Sequence, residues 1–227
     1  MIYVTGDTHG GIDMEKLDND HFKEQANLTK EDYVIVAGDF GFIWQDNEKQ
    51  RKLLELLGEL NYTLLFVDGN HENFRLLNAY PLDIWNGGKI HRITDSVIHL
   101  TRGQFFTIAG ETLFTFGGGD SMDKQWRTPD ISWWPEELPS ETQYREGLAN
   151  LEAHNWEADY VITHEGPAKI VQSLNRHFGR NPLCKYLQKV AEKLRFKKWY
   201  FGHYHLDAPV DEKYRALYQD KVVLGFM

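Results

Sequence analysis

The sequence predicts an α/β protein with parallel strands and its functional groups gathered at the strand ends. Two observations carry this. In the first half, short apolar runs alternate with helical stretches, a βαβαβ pattern that implies parallel strands joined by right-handed crossovers. In addition, five apolar runs each lead into a short motif of His, Asp or Asn. These are Gly6-Asp7-Thr8-His9-Gly10 after Ile2 to Thr5, Gly38-Asp39 after Tyr33 to Ala37, and Gly69-Asn70-His71-Glu72 after Thr63 to Val67. Thr163-His164 follows Asp159 to Ile162, and Gly202-His203-Tyr204-His205 follows Trp199 to Phe201. Short apolar runs bounded by Gly read as buried strands. Ligands of open α/β sheets bind beyond the carboxyl ends of the strands. Five such ends carrying metal-type side chains point to one metal centre.

Taken in order, the first strand begins almost at Met1, and Met14 to Ala26 reads as a helix. Glu48 to Leu60 carries leucines at 53, 54, 57 and 60, an apolar stripe at helical spacing that faces a core. Phe74, Leu76 and Leu77 start another short helix after the third strand. From Lys89 to Phe116 the pattern changes to short strands (Val97 to Leu100, Gln104 to Ala109, Thr112 to Phe116) with a hairpin turn at Ala109-Gly110-Glu111-Thr112. These read as antiparallel strands, in a second sheet or at the edge of the first. Gly117-Gly118-Gly119 opens an irregular stretch to Ser140, too aromatic for disorder, read as an ordered insertion or lid over the site at about 117–140. Ser140 with Gln143 fits a capping box for a helix through about Ala153, and Pro182 to Leu194 reads as a further helix. The tail is strand-like at Arg215 to Tyr218 and Val222 to Phe226, around a Gln219-Asp220 turn. With no repeat, linker or low-complexity tract, residues 1–227 read as one domain.

Composition narrows the class. Apolar content of 41% and charged content of 26% suit a soluble globular protein. No apolar stretch reaches the ~20 residues that span a bilayer, and the N-terminus has no basic region or cleavage site of a signal peptide. The only cysteine, Cys184, forbids an internal disulfide, which fits a reducing, cytoplasmic setting. A metal site here must therefore use His, Asp, Asn and Glu, ligands for borderline to hard cations. A net charge of −9 disfavours duplex nucleic acid as a partner.

The ligand types suggest two ions. Asp7 and His9, two apart on an extended segment, point the same way and suit one cation. A carboxylate such as Asp39 is the natural bridge between cations ~3.5–4 Å apart. Asn70 offers a neutral carbonyl oxygen, and His164, His203 and His205 complete two coordination shells.

In this order (D-x-H, GD, GNH[E/D], a lone H, GHxH) the set resembles the metallophosphoesterase, or calcineurin-like phosphoesterase, superfamily over Asp7 to His205. The resemblance implies a two-sheet β-sandwich flanked by helices, with a dinuclear site at the strand C-terminal ends. It implies one metal on Asp7, His9, Asp39 and His205, and another on Asp39, Asn70, His164 and His203. His71 matches the family's non-ligand histidine, which faces the leaving group, with Asp68 or Glu72 either orienting it or structuring its loop. The implied cofactors are two divalent ions, manganese first, with iron, zinc, nickel or cobalt as alternatives. The implied activity is hydrolysis of a phosphoester by a metal-activated hydroxide.

Within the family, the arginines that clamp a phosphomonoester in protein phosphatases are missing: Phe40-Gly41-Phe42 follows Asp39, and Asp68 precedes Gly69. The expectation is a phosphodiesterase or phosphatase on a small or nucleotide-like substrate. A nuclease on single-stranded nucleic acid, a protein Ser/Thr phosphatase-like activity and a non-catalytic binding module are the alternatives. From the insertion, Arg127 and Lys124 are candidate phosphate clamps, and Trp126, Trp133 and Trp134 are candidate stacking groups or simply packing. Trp44 walls the pocket or packs in the core, and His177 and Arg180 are remoter candidates.

Overall fold

The computed structural model describes residues 1–225. Its strands are β1 (Ile2–Thr5), β2 (Tyr33–Ala37), β3 (Thr63–Val67), β4 (Leu82–Trp85), β5 (Gly88–Thr94), β6 (Val97–Leu100) and β7 (Gln104–Ile108). There follow β8 (Glu111–Phe116), β9 (Tyr160–Thr163), β10 (Lys198–Phe201), β11 (Ala208–Pro209), β12 (Tyr214–Ala216) and β13 (Lys221–Val223). The helices are α1 (Glu48–Gly58), α2 (Phe74–Leu77), α3 (Glu141–Ala153), α4 (Ala168–Leu174) and α5 (Pro182–Lys193). One sheet has the order β13-β1-β2-β3-β6-β5-β4 and the other β11-β12-β10-β9-β8-β7. β1, β2 and β3 are mutually parallel, as are β8, β9 and β10.

The two sheets face each other across a core with Val4, Ile35, Leu65 and Ile98 on one side and Phe106, Leu113, Ile162 and Tyr200 on the other. The alternate residues of β2 and β3, including Val34, Val36, Leu64 and Phe66, pack outward under Leu54 and Leu57 of α1. On the second sheet, Phe114, Val161 and Phe201 pack against Leu151 of α3 and Leu183, Leu187 and Val190 of α5. The strands are thus buried on both faces, which explains why they read as unbroken apolar runs. The result is a two-sheet sandwich flanked by helices.

The helices begin where their caps dictate. Asn47 caps α1 by accepting from Gln50 N at 2.9 Å, and Ser140 and Gln143 form the expected capping box on α3. Asn181 caps α5, with Pro182 in its first turn. Met14 to Ala26 is not the expected helix: it holds only two short 3₁₀ turns, Met14–Leu17 and Lys23–Asn27. Asp18 breaks it, because its carboxylate accepts from the backbone N–H of Asp20 and His21 and folds the chain into a turn. Of the strands expected between Lys89 and Phe116, β7 and β8 form the hairpin in the second sheet, whereas β6 joins the first sheet parallel to β3. The two tail strands part company, β12 in the second sheet and β13 closing the first against β1. The expected last strand ends at Val223, with Leu224 and Gly225 in a turn, and Phe226 lies outside the described residues. No helix of the described residues is long and apolar enough to cross a membrane.

Candidate metal centre

Asp7 and His9 follow β1, Asp39 follows β2, and Asn70 and His71 follow β3; from the other sheet, His164 follows β9, and His203 and His205 follow β10. The parallel strands of both sheets deliver all these side chains to one end of the sandwich. Three groups lie within ligating distance of one another: Asp7, His9 and His205; Asp39, His164 and His203; and His9, Asp39 and His71. The last brings His71 closer to the ligands than the sequence implied. Asp39 stands at the centre, with Oδ2 3.3 Å from His9 Nε2 and Oδ1 3.3 Å from His164 Nε2. Asn70 Oδ1 is 3.1 Å from His164 Nε2, and His205 Nε2 is 3.3 Å from Asp7 Oδ2.

Asp7 and His9 do not meet as neighbours on an extended strand. β1 ends at Thr5, and His9 has φ +44° and opens a 3₁₀ turn. Left-handed backbone recurs at Asp39 (φ +48°), His203 (φ +69°) and His205 (φ +50°). Non-glycine residues held there cost ~1–3 kcal/mol each and cluster at functional sites. The glycines of the motifs act by their lack of bulk. A Cβ on Gly38 would lie 2.1 Å from the His164 ring, and one on Gly202 would lie 2.3 Å from Asp7 Oδ1.

The imidazoles are wired from behind. His9 Nδ1 meets Asp13 Oδ2 at 2.6 Å, and His164 Nδ1 meets the Ala37 carbonyl at 2.8 Å, so each turns Nε2 toward the centre. Asp13 also accepts from the Tyr218 hydroxyl at 2.8 Å, and the Tyr218 ring stacks on His205 at 4.6 Å. His203 Nε2 lies 3.6 Å from the buried Glu165. Asp120 N, Asn181, Cys184 and Tyr204 all donate to that carboxylate. The buried Lys16 ammonium ties the Asp7 and Tyr218 carbonyls together. None of Asp13, Lys16, Glu165 or Tyr218 was anticipated from the sequence. The spacing of Asp13, four after His9, was the one local signal.

These donors fit cations. Among the described residues, Asp7 Oδ2 is buried with no hydrogen-bond partner. His203 Nδ1 and His164 Nε2 face each other at 3.2 Å, and the other nitrogen of His164 is engaged by Ala37. Such lone pairs converge usefully only on a positive centre. Without one, protons serve instead. Burial opposes the charged form of His164, but Asp39, Asp7 and the Ala37 carbonyl raise its pKa to about 10. Burial likewise works against His9, and Asp39 and Asp13 overcome it, to about 8. Asp39, despite its burial, is held well below the usual carboxylate range by His164 and His9.

A family model for calcineurin-like phosphoesterases matches residues 1–207. The chain belongs to the calcineurin-like phosphoesterase family. Membership supports metal-dependent phosphoester hydrolysis as its chemistry. Among solved structures, the chain is 17% identical to a Staphylococcus aureus protein described as a 5′-nucleotidase, in complex with α-ketoglutarate. That match covers 96% of this chain and 48% of the other, with a TM-score of 0.50. The chain therefore spans about half the length of that structure. A second structure is 12% identical, with 95% of this chain and 88% of the other covered and a TM-score of 0.53. The Thermus thermophilus sulfate thiohydrolase SoxB in complex with glycerol is 13% identical, covering 96% and 51%, with a TM-score of 0.45. The first two likenesses are to the fold. No curated protein matches the chain.

In this calcineurin-like phosphoesterase the 117–140 stretch touches the site directly. Asn70 Nδ2 donates to Ser121 Oγ at 3.1 Å, and Ser121 is held in turn by Glu137. The Arg127 guanidinium lies over His71, 3.2 Å from both ring nitrogens, steadied by Asp123 and the Ser132 carbonyl. Burial, then Arg127 and His9, hold the His71 imidazole below its ordinary range against the pull of Asp39. Lys124 is exposed and paired with Asp120 at 2.8 Å. Trp133 is half-buried, and Trp126 is 83% exposed. Trp134 is in the core, perpendicular to Trp44, and presents no free face to a substrate.

Neither Asp68 nor Glu72 orients His71. Asp68 bonds Arg102 and His99, and Glu72 accepts from Phe40 N and Gly41 N, so both structure loops. The backbone N–H of His71 is fixed instead by Asp39 Oδ1 at 2.6 Å. His91 and His99 are buried beside Asp68, while His177 is exposed and bonds only its neighbours Arg176 and Asn175.

Proposed function

We propose that the chain hydrolyses a small phosphomonoester at two divalent ions, one held by Asp7, His9, Asp39 and His205 and the other by Asp39, Asn70, His164 and His203. The observation that carries this reading is Asp39, a single buried carboxylate that offers one oxygen to His9 and the other to His164. When bound, the ions supply an acidified water as nucleophile and neutralise the phosphoryl oxygens. Manganese leads the candidates, with iron, zinc, nickel and cobalt also suited to these nitrogen and oxygen donors.

The protein's own groups do the rest. Arg127 provides, from the insertion, the guanidinium that the loops after Asp39 and before Asn70 lack, and it suits a dianionic monoester. His71 stands against it and, once a bound phosphate draws Arg127 off its ring, would hand a proton to the departing alkoxide. A phosphate bound beside Arg127 brings negative charge to the imidazole and favours its proton-donating form. Backbone support from Asp39 keeps His71 in place while this happens.

The test compares p-nitrophenyl phosphate with bis-p-nitrophenyl phosphate after chelation and reloading with Mn²⁺. Metal-dependent turnover that favours the monoester is expected, with a loss of roughly 100-fold or more in Asp39→Asn. Wild-type turnover by a fully loaded Asp39→Asn protein would refute the dinuclear reading. Preference for the diester would move the protein to the phosphodiesterases.

A further inference from the structure

Beside the metal ligands, on the side of His9 and His71, lies a cleft of about 470 Å³. Ile12, Trp44 and Leu53 give it apolar walls, and Gln45 and Asn47 also line it, Asn47 Nδ2 donating to Gln45 Oε1 at 2.6 Å and Asn47 Oδ1 accepting from Gln50 N. Trp44 is half-buried and set perpendicular to Trp134, which fixes the indole while leaving part of it to the cleft. Ile12 is 82% exposed. The lining carries one ammonium, Lys49, and no carboxylate. The Trp44 loop is firm, because Gln50 holds it through Trp44 N, Gln45 N and the Phe42 carbonyl, and Asn73 binds the Trp44 carbonyl.

We infer that this cleft is the leaving-group subsite and that it takes a flat, uncharged alcohol bearing a heteroaromatic ring, of nucleoside size. The inference rests on the phosphomonoester reading, which puts the leaving group on the His71 side, and deepens it by naming the substrate class. Three properties select the occupant. The volume is within the ~300–1,000 Å³ of small-molecule sites. A single cation does not neutralise a polyphosphate leaving group. The accessible part of the indole suits a flat ring that stacks on it, with Gln45 Nε2 as a donor for the ring's polar edge.

The experiment measures kcat/KM for adenosine 5′-monophosphate and for ethyl phosphate with Mn²⁺-loaded wild type, Trp44→Ala and Trp44→Phe. In parallel, adenosine binding to the same proteins is followed by calorimetry. Wild type is expected to favour the nucleotide, and Trp44→Ala to lose roughly 10-fold of that preference, mainly through KM, with Trp44→Phe retaining most of it. Adenosine binding should weaken in the same order. Equal kcat/KM for the two esters in wild type, or an unchanged ratio in a folded Trp44→Ala, overturns the inference while leaving the hydrolytic reading intact. If neither ester is hydrolysed, the hydrolytic reading is what fails, and adenosine binding then decides the cleft. Binding that Trp44→Ala abolishes supports it, and no binding to wild type overturns it.

Discussion

Replacing Asp13 by Asn tests whether the groups behind the ligands set the affinity of one ion without the other. Asp13 is 14% exposed and meets His9 Nδ1 at 2.6 Å, while its second oxygen accepts from Tyr218. Asn keeps the size and one acceptor but removes the charge. Charge-assisted hydrogen bonds are about twice as strong as neutral ones. Losing an outer partner of a ligating histidine costs ~10–100-fold in metal affinity. Because Asn still accepts from His9, the lower end applies: about 10-fold, or ~1.4 kcal/mol. The loss should fall on the ion held by His9. The ligands of the other ion, His164 and His203, are backed by the Ala37 carbonyl and Glu165 and do not touch Asp13. Stepwise competition with a chelator, on protein whose fold is checked by circular dichroism, reads both affinities. Unchanged affinities, or equal losses at both ions, would show that Asp13 does not set the affinity of one ion alone.

Other expectations follow from the same geometry. Arg102 is 4% exposed and meets Asp68 Oδ2 through Nε at 2.8 Å and through a terminal nitrogen at 2.5 Å, also bonding Gln143 and the Glu136 carbonyl. Arg102→Leu would strand a buried carboxylate and should destabilise by ~3–5 kcal/mol in denaturant unfolding; a loss under ~1 kcal/mol would contradict this. At pH 7 the metal-free protein holds protons on His9 and His164, since both pKa values are raised, to about 8 and about 10. That protonation stabilises the metal-free fold fully below the ordinary value near 6.5 and is lost as pH rises through the raised values. Ligation requires neutral imidazoles, so loading at pH 7 should release roughly two protons and apparent affinity should climb with pH. Calorimetry in buffers of different ionisation heat counts those protons, and a count near zero would contradict the assignment.

The parts of the molecule that could be read directly were those that chemistry repeats locally. Val34 to Ala37 and Leu64 to Val67 are buried on both faces, so their strands showed as uninterrupted apolar runs, and the ligand motifs followed them without a gap. Ser140 and Gln143 announced α3 because a capping box is a four-residue device. β4 and β5 were hidden, since Leu82 and Ile84 are exposed on an edge and Lys89, His91 and Arg92 interrupt the apolar pattern. The turn at Asp18 outvoted helical spacing through side-chain bonds that no periodicity shows. At the site, residue types sufficed to pick out side chains that the fold brings together, but not the backbone that presents them: nothing in Asp7-Thr8-His9 reveals a left-handed His9. Glu165 and Tyr218 escaped because their partners, His203 and His205, come from other parts of the chain.

The bond between His164 Nδ1 and the Ala37 carbonyl joins residues 127 apart in sequence, and His203 N reaches Asp7 over 196. Contacts of such separation form late, after the loops between them have closed. A chain emerging from the ribosome therefore carries Asp7, His9, Asp39 and Asn70 for most of its synthesis without the histidines that complete either shell. On the proposed ligand set, ion capture at full strength would wait until the second sheet docks on the first. From then on, mass action by the ions would favour the docked form over every partly assembled one. The centre would thus work as a latch on assembly, closing only when the last quarter of the chain is in place.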